Sequence, residues 1–150
     1  MKAITILQPW ASLIACGAKQ IETRSWATKY RGEIAIHAGL SSKFVDTVDW
    51  NKKVFSDPFL TALKPYHFYR NDGSLSGMKL EYGKVIAIAD LVDCVEMTAS
   101  RIAMWKKVYG DNEIIFGDFQ LGRYAWILAN VRAVEPVPAK GMQRLWEWEP

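Results

Sequence analysis

Apolar and polar positions change period several times along the chain, and each change marks an element. Ala3 to Leu7 is a short, β-branched apolar run, which predicts a first strand. Trp10, Leu13 and Ile14 then recur at helical spacing behind Pro9, a residue suited to a first helical turn, and Gly17 ends that helix. From Lys19 to Trp26 the pattern alternates. Lys19, Ile21, Thr23 and Ser25 fall on one side, and Gln20, Glu22, Arg24 and Trp26 on the other. Neither side is purely apolar, so this strand belongs at a sheet edge or along a cleft, with turn as the alternative for its first residues. Arg31-Gly32 leads into Glu33-Ile34-Ala35-Ile36-His37-Ala38, another strand.

Ser41 to Leu63 reads as helical, with Phe44, Val45, Val48, Val54 and Phe55 inward and Asp57-Pro58 interrupting the pattern. Pro65, Asn71-Asp72-Gly73-Ser74 and Gly77 make Lys64 to Tyr82 a loop. Lys84 to Val95 carries the longest strand pattern, Thr98 to Val108 a helix capped at Thr98 or Ala99, and Gly122 to Val134 a further strand. Pro136 to Gly141 is extended and leads into Leu145-Trp146-Glu147-Trp148. Strands outnumber regular βαβ units, which argues against a doubly wound parallel sheet. The expectation is a mixed α+β fold: a small β-barrel with helices packed at its rim, forming one domain over residues 1–150.

The chain has 150 residues, half of them hydrophobic and 23% charged, which excludes a disordered or fibrous protein. A net charge of +3 permits a polyanionic partner without announcing one. The seven Trp are first read as packing: Trp50, Trp105 and Trp126 in the core, Trp146 and Trp148 sealing a barrel end. Cys16 and Cys94 form no CxxC pair, so neither a zinc site nor any other metal is expected, and two scattered thiols suit a reducing cytosol. No apolar run approaches the ~20 residues of a membrane span, and the start lacks the form of a signal peptide. A soluble, cytoplasmic protein without a membrane partner is the expectation.

No GxGxxG, Walker loop, HExxH or GxSxG occurs, and no spacing links Ser12, Ser25 and His37 as nucleophile and base. The remaining concentration of chemistry is Gly17 to Arg24. A Lys and an Arg flanking a Glu can hold a phosphate or a carbonyl while keeping the carboxylate ionised. A solvated strand whose charges pair with neighbours is the plainer reading, and spacing alone favours it.

Gly17-x-Lys19-x-x-Glu22-x-Arg24 matches the GxKxxExR signature of the ASCH domain family, and the chain resembles that family over nearly its whole length. Gln8-Pro9-Trp10-Ala11-Ser12-Leu13, Arg24-Ser25-Trp26, Tyr30-Arg31-Gly32 and Ile36-His37 follow the order of the coactivator domain that defines it. So do Gly83-Lys84-Val85-Ile86-Ala87, Val92-Asp93-Cys94, and Pro138-x-Lys140-Gly141 with Trp146. The resemblance implies a PUA-like barrel that binds RNA or other nucleic acid in a cleft between the first helix and the barrel, without a cofactor. Carried onto this chain, Lys19, Glu22 and Arg24 line that cleft. Lys19 and Arg24 are then phosphate contacts, and Trp10, Trp26 and Tyr124 offer ring faces to unstacked bases. Arg31 and Lys140 are further candidate contacts; for Arg31 the plainer reading is the clamp of a turn, and for Lys140 a structural role reads equally well.

One branch similar to this family removes an acetyl group from the modified nucleoside N4-acetylcytidine, using a Lys and a Thr three residues later. Here Glu22 stands at that position and Thr23 follows it. The corresponding catalytic set is Lys19, Glu22 and Thr23, with Glu96 as a remote carboxylate. Metal-independent RNA cleavage is a third class, and draws on Lys19, Glu22, Arg24 and His37 or Tyr124. For His37 the plainer reading is a satisfied histidine at the core or rim.

Overall fold

The computed structural model describes residues 1–49 and 53–150, with the side chains of 53–56 left aside. The expectations placed on Trp50, Val54 and Phe55 lie outside the described residues. Strands β1 (Lys2–Ile6) and β3 (Gly32–Ala38) run parallel, with Ile4 beside Ile36. Between them in sequence come helix α1 (Trp10–Ala15) and strand β2 (Ile21–Arg24). The two parallel strands read as nearly continuous apolar runs because both of their faces are covered. Ile4, Ile6, Ile34 and Ile36 meet Ala11 and Ile14 of α1 on one face. Ala3 and Ala35 meet Trp146 and Trp148 on the other, so these two rings close that end of the sheet.

Two long strands, β6 (Lys84–Glu96) and β7 (Tyr124–Pro138), pair antiparallel and shift register three times. Such irregularities add local twist and bend a sheet on itself. The six-stranded sheet, in order β2-β7-β6-β3-β1-β8, therefore curls into a half-barrel whose edges are β2 and β8 (Leu145–Glu147). Trp126, 1% exposed, packs inside this curl with Leu128 and edge-to-face against Trp26. Removing such a ring costs about 3–5 kcal/mol, so Trp126 is a structural ring and Trp26 is the one left half-open.

The expected small barrel with helices at its rim is what the chain forms, but three local readings change. The long helical segment breaks after α2 (Lys43–Thr47), where Val48 is extended, and Pro58 lies inside α3 (Lys53–Ala62) instead of interrupting it. Phe59 and Leu63 bury against Leu13 and Phe116 on either side of that region, and such packing outweighs local propensity. The expected loop from Lys64 contains a 3₁₀ turn (Lys64–Tyr66) and a hairpin, β4 (His67–Tyr69) with β5 (Leu75–Met78). Its turn residues do turn: Gly73 has φ +85°, and Asp72 Oδ1 accepts from the Ser74 N–H at 2.8 Å. These strands are too short to show a period. Finally, α4 (Ala99–Tyr109), capped by Thr98 Oγ1 on the Arg101 N–H, is followed by an unforeseen short helix, α5 (Asp111–Ile115). No helix among the described residues is long and apolar enough to cross a membrane.

Candidate functional site

Both ends of α1 are set by residues of the signature region. Gln8 is fully buried; its Oε1 accepts from the Ser12 N–H at 3.0 Å and its Nε2 donates to the Glu81 carbonyl at 2.7 Å. The helix start is thereby tied to the segment before β6. Pro9 sits just ahead of the helix, after a cis peptide bond. At the other end Gly17 takes φ +83°, the left-handed conformation that ends helices most easily without a Cβ. The turned chain lets the Lys19 N–H donate back to the Leu13 carbonyl at 3.0 Å, which points the Lys19 side chain inward.

Lys19 is only 1% exposed, and its ammonium donates to the Ile21 carbonyl. Glu113 of α5, 2% exposed, accepts the N–H groups of Gln20 and Ile21 at 2.7–3.1 Å. Arg123 Nη2 donates to the Thr23 carbonyl, and Thr23 Oγ1 accepts from the Asp118 N–H at 3.1 Å. The outward edge of β2 is thus satisfied by side chains and a loop instead of another strand, which blocks edge-to-edge pairing. Burial pushes the Lys19 pKa below its ordinary value, with Arg24 adding to the effect and the charges of Glu22 and Glu113 opposing it. Burial raises the Glu113 pKa, while Lys19 and the two backbone N–H groups pull it down.

Glu22 and Arg24 lie one pleat apart on β2. Arg24 Nε stands 3.4 Å from Glu22 Oε1, and its Nη2 donates to the Thr5 carbonyl at 2.8 Å. Among the described residues Glu22 Oε2 and Arg24 Nε, both buried, have no hydrogen-bond partner. Three cavities adjoin here. The smallest, about 350 Å³, is lined by Trp10, Lys19, Glu22, Thr23, Phe116 and Asp118. A middle one of about 420 Å³ shares Trp10, Glu22 and Thr23 with it and adds Arg24, Trp26 and Arg123. The largest, about 630 Å³, shares Thr5, Leu7, Arg24 and Trp26 with the middle one and extends to His37 and Arg144. Shared walls make these one groove running past α1 and across the ends of β1 and β2.

The structure therefore brings Trp10, Lys19, Glu22, Thr23, Arg24 and Trp26 to one groove. It changes what some of them can do. Lys19 is not an open phosphate contact, because its ammonium is buried against the β2 edge. Arg31 clamps a turn, donating to the carbonyls of Thr28 and Tyr30 and pairing with Asp93, and lines none of the three cavities. Tyr124 begins β7 opposite Arg24 and packs half-buried against the core, also outside those walls. Lys140 is exposed beside the largest cavity without lining it. Glu96 ends β6 in solvent, and the carboxylates that act on Lys19 are Glu22 and, from a distant part of the chain, Glu113. The signal for Glu113 in the chain was the stop at Gly110 followed by Asp111-Asn112-Glu113, an acidic first turn. His37 is 1% exposed, with Nε2 3.0 Å from the Ala139 carbonyl, and lines the opposite end of the groove from Lys19. Among the described residues no cluster of His, Cys, Asp and Glu is arranged to hold a metal ion.

A curled six-stranded sheet with one parallel pair, short helices at its rim and a groove along the first helix defines a PUA-like fold. The ASCH domain model matches residues 4–138, and the chain belongs to the ASCH domain family. Among solved structures it is similar to ASCH from Zymomonas mobilis, with a TM-score of 0.56 and 15% identity. That likeness covers 99% of this chain and 87% of the other, and at such identity it speaks for the fold alone. No curated protein matches the chain.

Proposed function

We propose that the groove binds RNA whose bases are unstacked, as the nucleic-acid-binding role of this family suggests. The observation that supports this reading best is the joining of three cavities around Trp10, Arg24 and Trp26. Ring faces alternate there with the guanidinium groups of Arg24, Arg123 and Arg144, the combination that holds single strands by stacking and phosphate contact. Glu22 Oε2, a buried acceptor with no donor, is placed to take a base amino group. Lys19 acts on this site by holding β2 in place.

Fluorescence anisotropy with a short single-stranded RNA tests the reading. Trp26→Leu keeps apolar bulk but removes the stacking plane. One lost stack is worth about 1–3 kcal/mol, so affinity falls roughly fivefold to a hundredfold. Unchanged affinity in a folded variant, at both low and high salt, rejects the groove.

A second reading rests on a different observation. Lys19, Glu22 and Thr23 share the smallest cavity, and the depressed pKa of the Lys19 amine favours its neutral, nucleophilic form. Hydrolysis of an N4-acylated cytidine is the matching activity. Turnover lost in Thr23→Val supports it, and a flat time course at high protein concentration removes it. Metal-independent RNA cleavage has less support, since His37 and Lys19 line opposite ends of the groove and Tyr124 lines neither.

A further inference from the structure

The largest cavity lies mostly outside the signature. Its walls include two guanidinium groups, Arg24 and Arg144, and no carboxylate. The charge of Arg24 is already met by Glu22, whereas Arg144 has no carboxylate partner among the described residues. Instead the Arg144 guanidinium carbon stands 5.1 Å from the centroid of the Trp26 ring. Arg144 also holds φ +58°, a left-handed conformation uncommon for a residue that carries a Cβ.

A Cβ at Gly141 would come within 2.5 Å of His37 Cε1 and 2.8 Å of Thr5 Oγ1, so only glycine lets the chain lie directly on these two side chains. His37 is held in turn by its Nε2 contact to the Ala139 carbonyl, and its buried Nδ1 has no partner. Thr5 Oγ1 accepts from Trp146 Nε1 at 3.2 Å. The segment from Gly141 to Arg144 is thereby laid along the cavity, and an unneutralised arginine is delivered to its wall. His37 is a positioning residue for that segment.

A planar guanidinium suits the paired oxygens of a phosphate and can also stack on a flat ring. Leu7, Leu40, Met142 and the Trp26 side supply apolar surface for such a ring, and the cavity volume of about 630 Å³ falls within the range of small-molecule sites. We infer that this cavity is a subsite for one nucleotide, with Arg144 and Arg24 on its phosphate and its base against Trp26 and Met142. The inference rests on the reading of the groove as an RNA site. The nucleotide is either free or part of a strand, and the experiment separates the two.

Titration calorimetry of the full chain with adenosine 5′-monophosphate, adenosine and inorganic phosphate is the test, alongside anisotropy with the RNA oligomer. The monophosphate binds at least tenfold more tightly than adenosine or phosphate alone. Arg144→Gln lowers its affinity about tenfold, Arg144→Lys recovers part of that loss, and Gly141→Val weakens it by displacing the segment. Lys106→Gln, on the exposed face of α4, changes nothing. Circular dichroism confirms that each variant is folded. Equal affinity for adenosine and its monophosphate, or wild-type affinity in Arg144→Gln, overturns the subsite. Monophosphate binding through Arg144 with no oligomer binding upholds the subsite for a free nucleotide and rejects the longer groove. Oligomer binding that ignores Arg144→Gln upholds the groove and rejects the subsite.

Discussion

Replacing Glu113 by Gln leaves the shape of the β2 clamp almost intact and removes its charge. The carboxylate accepts from the Ile21 N–H at 2.7 Å and from the Gln20 N–H at 3.0 and 3.1 Å. It also opposes the desolvation of Lys19, which is 1% exposed. Hydrogen bonds to a charged acceptor are worth about 1 kcal/mol more than those to a neutral one. Removing one of the counter-charges near a buried ammonium adds a further cost. Lys19 can limit that cost by releasing its proton, and Glu22 remains nearby, so the expected loss is about 3 kcal/mol. For a chain of this size that corresponds to a fall of roughly 6–12 °C in Tm. Urea unfolding followed by tryptophan fluorescence measures it, with Glu96→Gln, at the exposed end of β6, expected within about 0.5 kcal/mol of wild type. Adding Lys19→Met to Glu113→Gln removes the buried ammonium left with less counter-charge and restores part of the loss. A change under about 1 kcal/mol in Glu113→Gln would show that the β2 edge does not depend on this carboxylate.

Lys19 also predicts a pH dependence. Its folded pKa lies below the ordinary value of 10.5 because burial disfavours the charged amine. Between the folded value and 10.5 the unfolded chain binds the extra proton, so stability contributed by this group rises with pH over that interval. The urea midpoint of wild type relative to Lys19→Met should therefore climb as the pH is raised towards 10.5, and a falling difference contradicts the assignment. Gly17→Ala meets nothing within 4 Å, so its effect is purely conformational. Forcing φ +83° on a residue with a Cβ costs about 1–2 kcal/mol. A smaller loss is expected in Gly17→Asn, and urea titrations of both variants that match wild type would refute the strained helix end.

Elements governed by neighbours in sequence were legible before any coordinates: β1, α1 with its Gly17 stop, β3, the Thr98 cap and the long strand from Lys84. The edge position of β2 was legible as well, because neither side of the strand is purely apolar, whereas spacing alone favoured a solvated strand and only the family resemblance singled out a cleft. Pro58 was misread since its penalty is local while the Phe59 and Leu63 contacts that offset it are not. The hairpin at β4 and β5 escaped because three or four residues carry too little periodicity.

The chain by itself determined the kind of sheet, the place of the first helix and the family, since period, turn chemistry and a spaced motif are properties of adjacent residues. Only tertiary structure decided that Lys19 lies buried instead of facing a phosphate, that Glu113 rather than Glu96 stands by it, and that Arg144 reaches Trp26. Each of these depends on which segment covers which. Glu113 meets Ile21 across 92 residues, and the cost of burying a charge is settled by the atoms packed around it, wherever they lie in the sequence.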